Sequence, residues 1–287
     1  MNYKKFCSIL NKHIFEGEKQ ELLRKIAEKP ERFIGLFRPT KPGAKILQHI
    51  LQSHEIRFGD AFEEIIEEFL KEFDFQPLPK SITNGDGKAL SLDQHFTGKG
   101  IYYFVEQKVR DDHDSTKKDG QITNFEKKLD GLYQKYSSQL IGIMYFIDPD
   151  LVKNKNFYIE KLNKMGSLYG IETFLFYGKE LFEYFNHPEY WDKIMDWLRQ
   201  WKNSLPELPE VDFDKNPNQA FEEIKNLPIR HWIKILENEN LWREGIIKAM
   251  FRKGDTLKLL LKHFENLTDK PHQELAKLLK ENLSKFY

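Results

Sequence analysis

Along residues 1–73 the apolar positions recur at helical spacing (Phe6, Leu10; Leu22, Leu23, Ile26; Ile46, Ile50; Phe58, Phe62, Ile65, Phe69, Phe73), and Pro30, Pro39 and Pro42 interrupt the pattern. That spacing predicts helices throughout. From about residue 75 the texture changes. Pro77, Pro79, Gly85 and Gly87 mark a loop, and the alternating segments Leu90–Phe96 and Ile101–Val109 flank the turn Thr97-Gly98-Lys99-Gly100, a hairpin pattern. An amphipathic helix over about 116–136 follows, with Ser115 as its N-cap and Ile122, Phe125, Leu129, Leu132 and Tyr136 on its apolar stripe. Leu140–Ile147 then reads as a buried strand, 155–166 as a helix, Glu172–Phe176 as a short strand, and 179–185 and 189–202 as helices. The order β-β-α-β-α-β implies an α/β fold with a mixed central sheet and flanking helices.

The Pro-rich acidic stretch from Ser204 to Asn216 reads as a linker. The chain is therefore expected to divide into an N-terminal helical segment (1–57), a sheet-containing core (58–203), the linker (204–216) and an all-helical C-terminal region (217–287). In that last region Trp232, Trp242, Phe251 and Phe264 fall at helical spacing and read as core, within predicted helices 221–227, 232–236, 242–251, 257–264 and 274–286. It carries 13 Lys+Arg against 10 Asp+Glu, and Arg230, Lys234, Arg243, Lys248, Arg252, Lys253, Lys258 and Lys262 suit either phosphate contact or plain solvation, with dimerisation as another use of the region.

Composition narrows the chemistry. The 45 Lys+Arg balance 45 Asp+Glu, so a polyanionic partner would have to be met by local charge segregation. Cys7 is the lone cysteine, which excludes an intramolecular disulfide and a zinc finger and fits a reducing compartment. The apolar stretch after Lys4 and Lys5 is broken at Asn11, Lys12 and His13, short of a secretory signal, and no apolar run approaches the roughly 20 residues of a membrane span. A cytoplasmic protein is expected. No phosphate-binding loop, dinucleotide fingerprint or serine nucleophile elbow occurs, so neither a nucleotide cofactor nor serine-hydrolase chemistry is supported.

The hairpin carries the chemistry. On a strand Tyr102, Phe104, Glu106 and Lys108 share one face. Closing the hairpin at Thr97–Gly100 sets Asp93 opposite Phe104 and diagonal to Glu106, so Asp93, Glu106 and Lys108 meet on one face. Two carboxylates can hold Mg²⁺ against a phosphate oxygen, while a lysine orients or deprotonates the attacking water and offsets developing charge. Glu-x-Lys alone also suits an exposed salt bridge. Asp86, in Asn84-Gly85-Asp86-Gly87, is a second candidate for the aspartate, although its glycine neighbours suit a turn. His95 shares the Asp93 face by parity but reads as a surface or core residue.

This order, an acidic helix, a hairpin bearing Asp and then Glu-x-Lys, a crossover helix and a further strand, resembles the PD-(D/E)XK nuclease superfamily, in particular type II restriction endonucleases, over about residues 58–150. The sequence reads Ser91-Leu92-Asp93 where that pattern has a proline before the aspartate. The resemblance implies a restriction-endonuclease-like fold and Mg²⁺-dependent, sequence-specific cleavage of double-stranded DNA, with Asp93 and Glu106 on the metal and Lys108 at the water. It also implies a helix carboxylate. In Gly59–Glu68 the helical wheel puts Glu63 about 100° from Phe62, at the border of the apolar face, with Glu67 in reserve and Glu64 and Glu68 on the far side.

Arg110 and the helix start Ser115, Thr116, Lys117 and Lys118 suit contact with a DNA phosphate. Gln121 with Phe125 resembles the Gln-x-x-x-Tyr element of some superfamily members. A palindromic target would favour a homodimer. A repair or structure-selective nuclease of the same fold, or a noncatalytic DNA-binding or assembly module, are the competing readings.

Overall fold

The computed structural model describes residues 1–35, 37–83 and 87–287. Asp86, the second candidate for the aspartate, lies outside the described residues. Helices α1 (Tyr3–Phe15), α2 (Glu18–Glu28) and α3 (Pro42–Glu72) come first, and Pro42 opens the third, where a missing N–H costs nothing. Strands β1 (Gln76–Pro77), β2 (Ser81–Thr83), β3 (Ala89–Ser91), β4 (Gln94–Gly98) and β5 (Ile101–Lys108) follow. Next come α4 (Ser115–Tyr136), β6 (Leu140–Phe146), α5 (Lys155–Tyr169), β7 (Glu172–Tyr177), α6 (Glu180–Tyr184) and α7 (Pro188–Asn203). Five strands form one sheet in the order β1-β4-β5-β6-β7. β1 and β4, and β4 and β5, are antiparallel, and the pairs β5/β6 and β6/β7, joined through α4 and α5, are parallel. The fold is the mixed α/β sheet with flanking helices that the pattern predicts.

Two details of the hairpin differ from expectation. The turn is two residues long. Lys99 and Gly100 both take positive φ (54° and 80°), as a tight hairpin turn requires, and His95 rather than Asp93 faces Phe104. The pairing slides by two residues, which preserves parity, so Asp93 keeps its face and moves closer to Glu106. Second, Leu90–Phe96 is not one strand. β3 pairs with β2 in a separate two-stranded sheet, and the chain breaks at Leu92-Asp93 before joining the main sheet as β4. The break is stabilised locally: the Leu92 N–H donates to the Lys80 carbonyl at 2.8 Å, and the Gln107 N–H donates to Asp93 Oδ2 at 2.7 Å, a side chain replacing a ladder partner.

Helix α4 covers the Phe104 face of the sheet. All five predicted stripe residues are buried, together with Phe104, Leu140, Met144 and Phe146. Its N-cap is Asp114, whose side chain accepts the Lys117 N–H at 2.9 Å, rather than Ser115, which becomes the first helical residue. Gly142 of β6 sets how closely α4 seats: a Cβ there would lie 2.9 Å from Leu129 Cδ1 and 3.2 Å from Phe125 Cζ.

The chain forms two compact units, one of residues 1–13 and 58–205 and the other of residues 14–57 and 206–287. The N-terminal 57 residues are thus divided between them. The second unit adds α8 (Pro217–Ile224), α9 (Ile229–Glu237), α10 (Glu239–Arg243), α11 (Ile246–Met250), α12 (Asp255–Glu265) and α13 (Lys270–Phe286). The single helix expected over 242–251 is interrupted at Gly245, whose φ of 79° breaks the helical path. Trp232, Trp242, Phe251 and Phe264 are buried with Leu22, Ile26, Ile46 and Met250, while the eight basic residues from Arg230 to Lys262 named above are exposed. The 204–216 stretch contains three buried residues near its end, Asp212, Phe213 and Asp214. Asp214 accepts the N–H groups of Lys253, Gly254 and Thr256 at 2.7–2.8 Å, closing the start of α12, whose N-cap Gly254 has no side chain to do so. Among the described residues no helix is long and apolar enough to cross a membrane.

Candidate active site

The strand β5 delivers Glu106 and Lys108 to one face, and the break before β4 delivers Asp93 beside them. Lys108 Nζ lies 2.9 Å from Glu106 Oε1 and 3.1 Å from Asp93 Oδ2, and also donates to the Gln107 carbonyl at 2.7 Å. The two carboxylates therefore converge on one cationic point. Glu106 is 1 % exposed and Asp93 14 %, far from the open salt bridge that Glu-x-Lys alone would allow. Burial by itself would depress the Lys108 pKa, but the charges of Glu106 and Asp93 outweigh it and hold the ammonium above lysine's ordinary value.

A second lysine, absent from the motif, completes the cluster. Lys128 of α4 is buried, with Nζ 2.5 Å from Glu106 Oε2 and 3.7 Å from Asp93 Oδ1. Asn124, one turn earlier, donates to Glu106 Oε1 at 3.3 Å. Both stand at the edge of the apolar stripe of α4, where a lysine within the buried turn Phe125–Leu132 was the available sequence signal. Gln121 does not join them: its Oε1 accepts the Tyr158 hydroxyl at 2.6 Å. Lys118 lies 4.4 Å above the Phe157 ring, whereas Ser115, Thr116 and Lys117 are exposed at the start of α4 and Arg110 is half-buried just beyond β5.

Of the glutamates at 63, 64, 67 and 68 of α3, three are engaged in ion pairs. Glu64 meets His13, Glu67 meets Lys71 and Lys80, and Glu68 meets Lys5 and Lys71. Glu63 has none among the described residues. Its carbonyl accepts Gln94 Nε2 at 2.7 Å, which ties this turn of α3 to β4. Burial first, and then the Asp93 charge, push its carboxyl up to about 7. Because the unfolded carboxyl titrates near its ordinary 4.5, the folded state binds the proton more tightly, and stability falls as pH rises from about 4.5 through 7. Glu63→Gln abolishes that titration. In EDTA its melting temperature should exceed the parent's at pH 8 by more than at pH 5, and an equal difference at both pH values would show that Glu63 carries no raised pKa.

His95 is buried, with Nδ1 2.8 Å from the Pro79 carbonyl and its ring beside Tyr136, a core residue. Burial lowers its pKa, against the Pro79 bond.

Among the described residues no group of three or more His, Cys, Asp and Glu side chains forms a metal cage. Asp93 and Glu106 still fit a magnesium site on the chemistry of their donors. They are hard carboxylate oxygens already converging on one cation, and Mg²⁺ commonly takes one or two carboxylates, completing its shell with water and phosphate. No curated protein matches the chain. The family model for the type II restriction endonuclease HinfI matches residues 2–84 and 75–202, which span α1 to α7 and every strand of both sheets. With the mixed sheet and the clustered Asp93, Glu106 and Lys108 in the matched region, the chain belongs to the HinfI family of type II restriction endonucleases.

Proposed function

We propose that the protein hydrolyses phosphodiester bonds in double-stranded DNA at a defined sequence, with Mg²⁺ held by Asp93 and Glu106. The observation that carries this reading is the convergence of both carboxylates and Lys108 Nζ within 3.1 Å in the family-matched region. Bound there, Mg²⁺ would supply Lewis acidity toward a non-bridging phosphate oxygen.

The protein's own groups divide the remaining work. Lys108, hydrogen-bonded to both carboxylates, acts as a donor and positive charge beside the attacking water and the phosphate. Glu63, with its carboxyl near 7, has the proton affinity suited to accepting a proton around neutral pH. Arg110, Ser115, Thr116 and Lys117 are proposed to meet the phosphate backbone through their side chains. Lys118 and Gln121, engaged with Phe157 and Tyr158, are proposed to support that contact. A twofold dimer suits a symmetric duplex target. The C-terminal region, with its exposed lysines and arginines, is proposed to contact DNA or the second subunit.

Plasmid and phage DNA incubated with Mg²⁺ should give discrete fragments with a common end sequence, and EDTA should stop the reaction. End-dependent degradation to short products, or cleavage unaffected by EDTA, would overturn this reading.

A further inference from the structure

Lys128 is not needed to explain a two-carboxylate, one-lysine centre, yet it makes the shortest contact in the cluster. It arises from a different element than the hairpin and reaches both carboxylates, 2.5 Å from Glu106 Oε2 and 3.7 Å from Asp93 Oδ1, while 7 % exposed. Lys108 reaches the other oxygens of the same two groups. Two carboxylates thus face two ammonium groups, and the cluster is electrically balanced before any metal arrives. A buried and balanced quartet has little attraction for an added dication, because the incoming charge meets two fixed positive groups in a poorly screened setting. The imbalance shrinks when a DNA phosphate enters together with the metal.

We propose that Lys128 is a positioning residue and internal counter-cation that competes with divalent metal for Asp93 and Glu106, so that metal binds firmly only together with the phosphate of bound DNA. This rests on the metal assignment above. Lys128 thereby couples metal binding to DNA binding, a coupling that must be reciprocal: metal tightens DNA binding by the same factor.

The test measures metal binding, not cleavage. Ca²⁺, a hard dication that takes the same oxygen donors, is titrated calorimetrically into the full-length protein without DNA and with a duplex containing the cleaved sequence, corrected for Ca²⁺ binding to the duplex. The parent should bind Ca²⁺ weakly alone and on the order of tenfold or more tightly with duplex. Lys128→Met should bind Ca²⁺ on the order of tenfold more tightly than the parent without DNA and lose most of the dependence on duplex. Lys128→Arg, which keeps the charge, should restore the parent's behaviour. A Lys128→Met protein with equal or weaker DNA-free affinity overturns the proposal. Should that variant fail to fold, the parent decides: Ca²⁺ affinity unchanged by duplex overturns the proposal just as firmly. A parent that binds no Ca²⁺ in either state would instead overturn the metal assignment itself, a separate failure.

Discussion

Glu106→Ala should lose at least about a thousandfold in the rate of the proposed Mg²⁺-dependent DNA cleavage, the loss of several kcal/mol of charge stabilisation expected when one of the two proposed metal ligands is gone. The same change should also destabilise the protein. Glu106 is 1 % exposed and receives Lys108, Lys128 and Asn124, so truncation strands the buried Lys128 ammonium with Asp93 at 3.7 Å as its remaining partner. Breaking a buried pair by removing one member costs about 3–5 kcal/mol. Thermal unfolding in EDTA reads that cost directly, and it separates the two effects because the cleavage loss persists at temperatures where the variant is fully folded. Replacing both partners, Glu106→Leu with Lys128→Leu, should recover much of the stability and none of the activity, since an apolar pair of similar volume removes both buried charges. Cleavage by Glu106→Ala within tenfold of the parent would remove Glu106 from the centre.

The second large effect lies in the other unit. Asp214→Ala removes the acceptor for three backbone N–H groups, those of Lys253, Gly254 and Thr256, at the start of α12. Each buried donor left without a partner costs about 1–3 kcal/mol, and with water reaching part of this surface the sum should be about 3–5 kcal/mol, a large share of a typical domain's stability. The pH dependence checks the cause. Burial alone would raise the Asp214 pKa, but the Thr256, Lys253 and Gly254 donors outweigh it and hold the carboxyl below its ordinary 3.8. The stabilisation is therefore complete above about pH 4 and is lost as pH falls through the lowered value. Urea denaturation of parent and variant should differ most at neutral pH and converge in acid. A difference that persists undiminished at pH 2 would mean that the carboxylate's charge is not what is being lost.

Features governed by local periodicity were readable from the amino-acid order. The alternation of β5 fixed which residues share the Glu106 face, the stripe of α4 named five buried positions, and the wheel on α3 singled out Glu63 among four neighbours, three of which turn out to be spent on lysines and a histidine. Features set by nonlocal partners were not readable. The hairpin register depends on Lys99 accepting a left-handed conformation, which a lysine rarely signals. The break before Asp93 exists because its side chain takes the Gln107 N–H across the sheet. Lys128 at the edge of an apolar stripe looks like any solvated lysine until Glu106 is brought beneath it. Asp214 sits in a stretch whose prolines and acids spell a linker, and its role depends on backbone donors some forty residues later.

Gly142 illustrates what such nonlocal dependence means for genetics. It touches neither metal nor DNA in this reading, but its missing side chain lets Leu129 and Phe125 settle onto β6, and Lys128 rides on the same turn of helix. A random screen for alleles that no longer restrict incoming DNA would therefore recover changes at this glycine alongside changes at the carboxylates proposed to hold the metal, and a map drawn from phenotype alone would place it, misleadingly, with them.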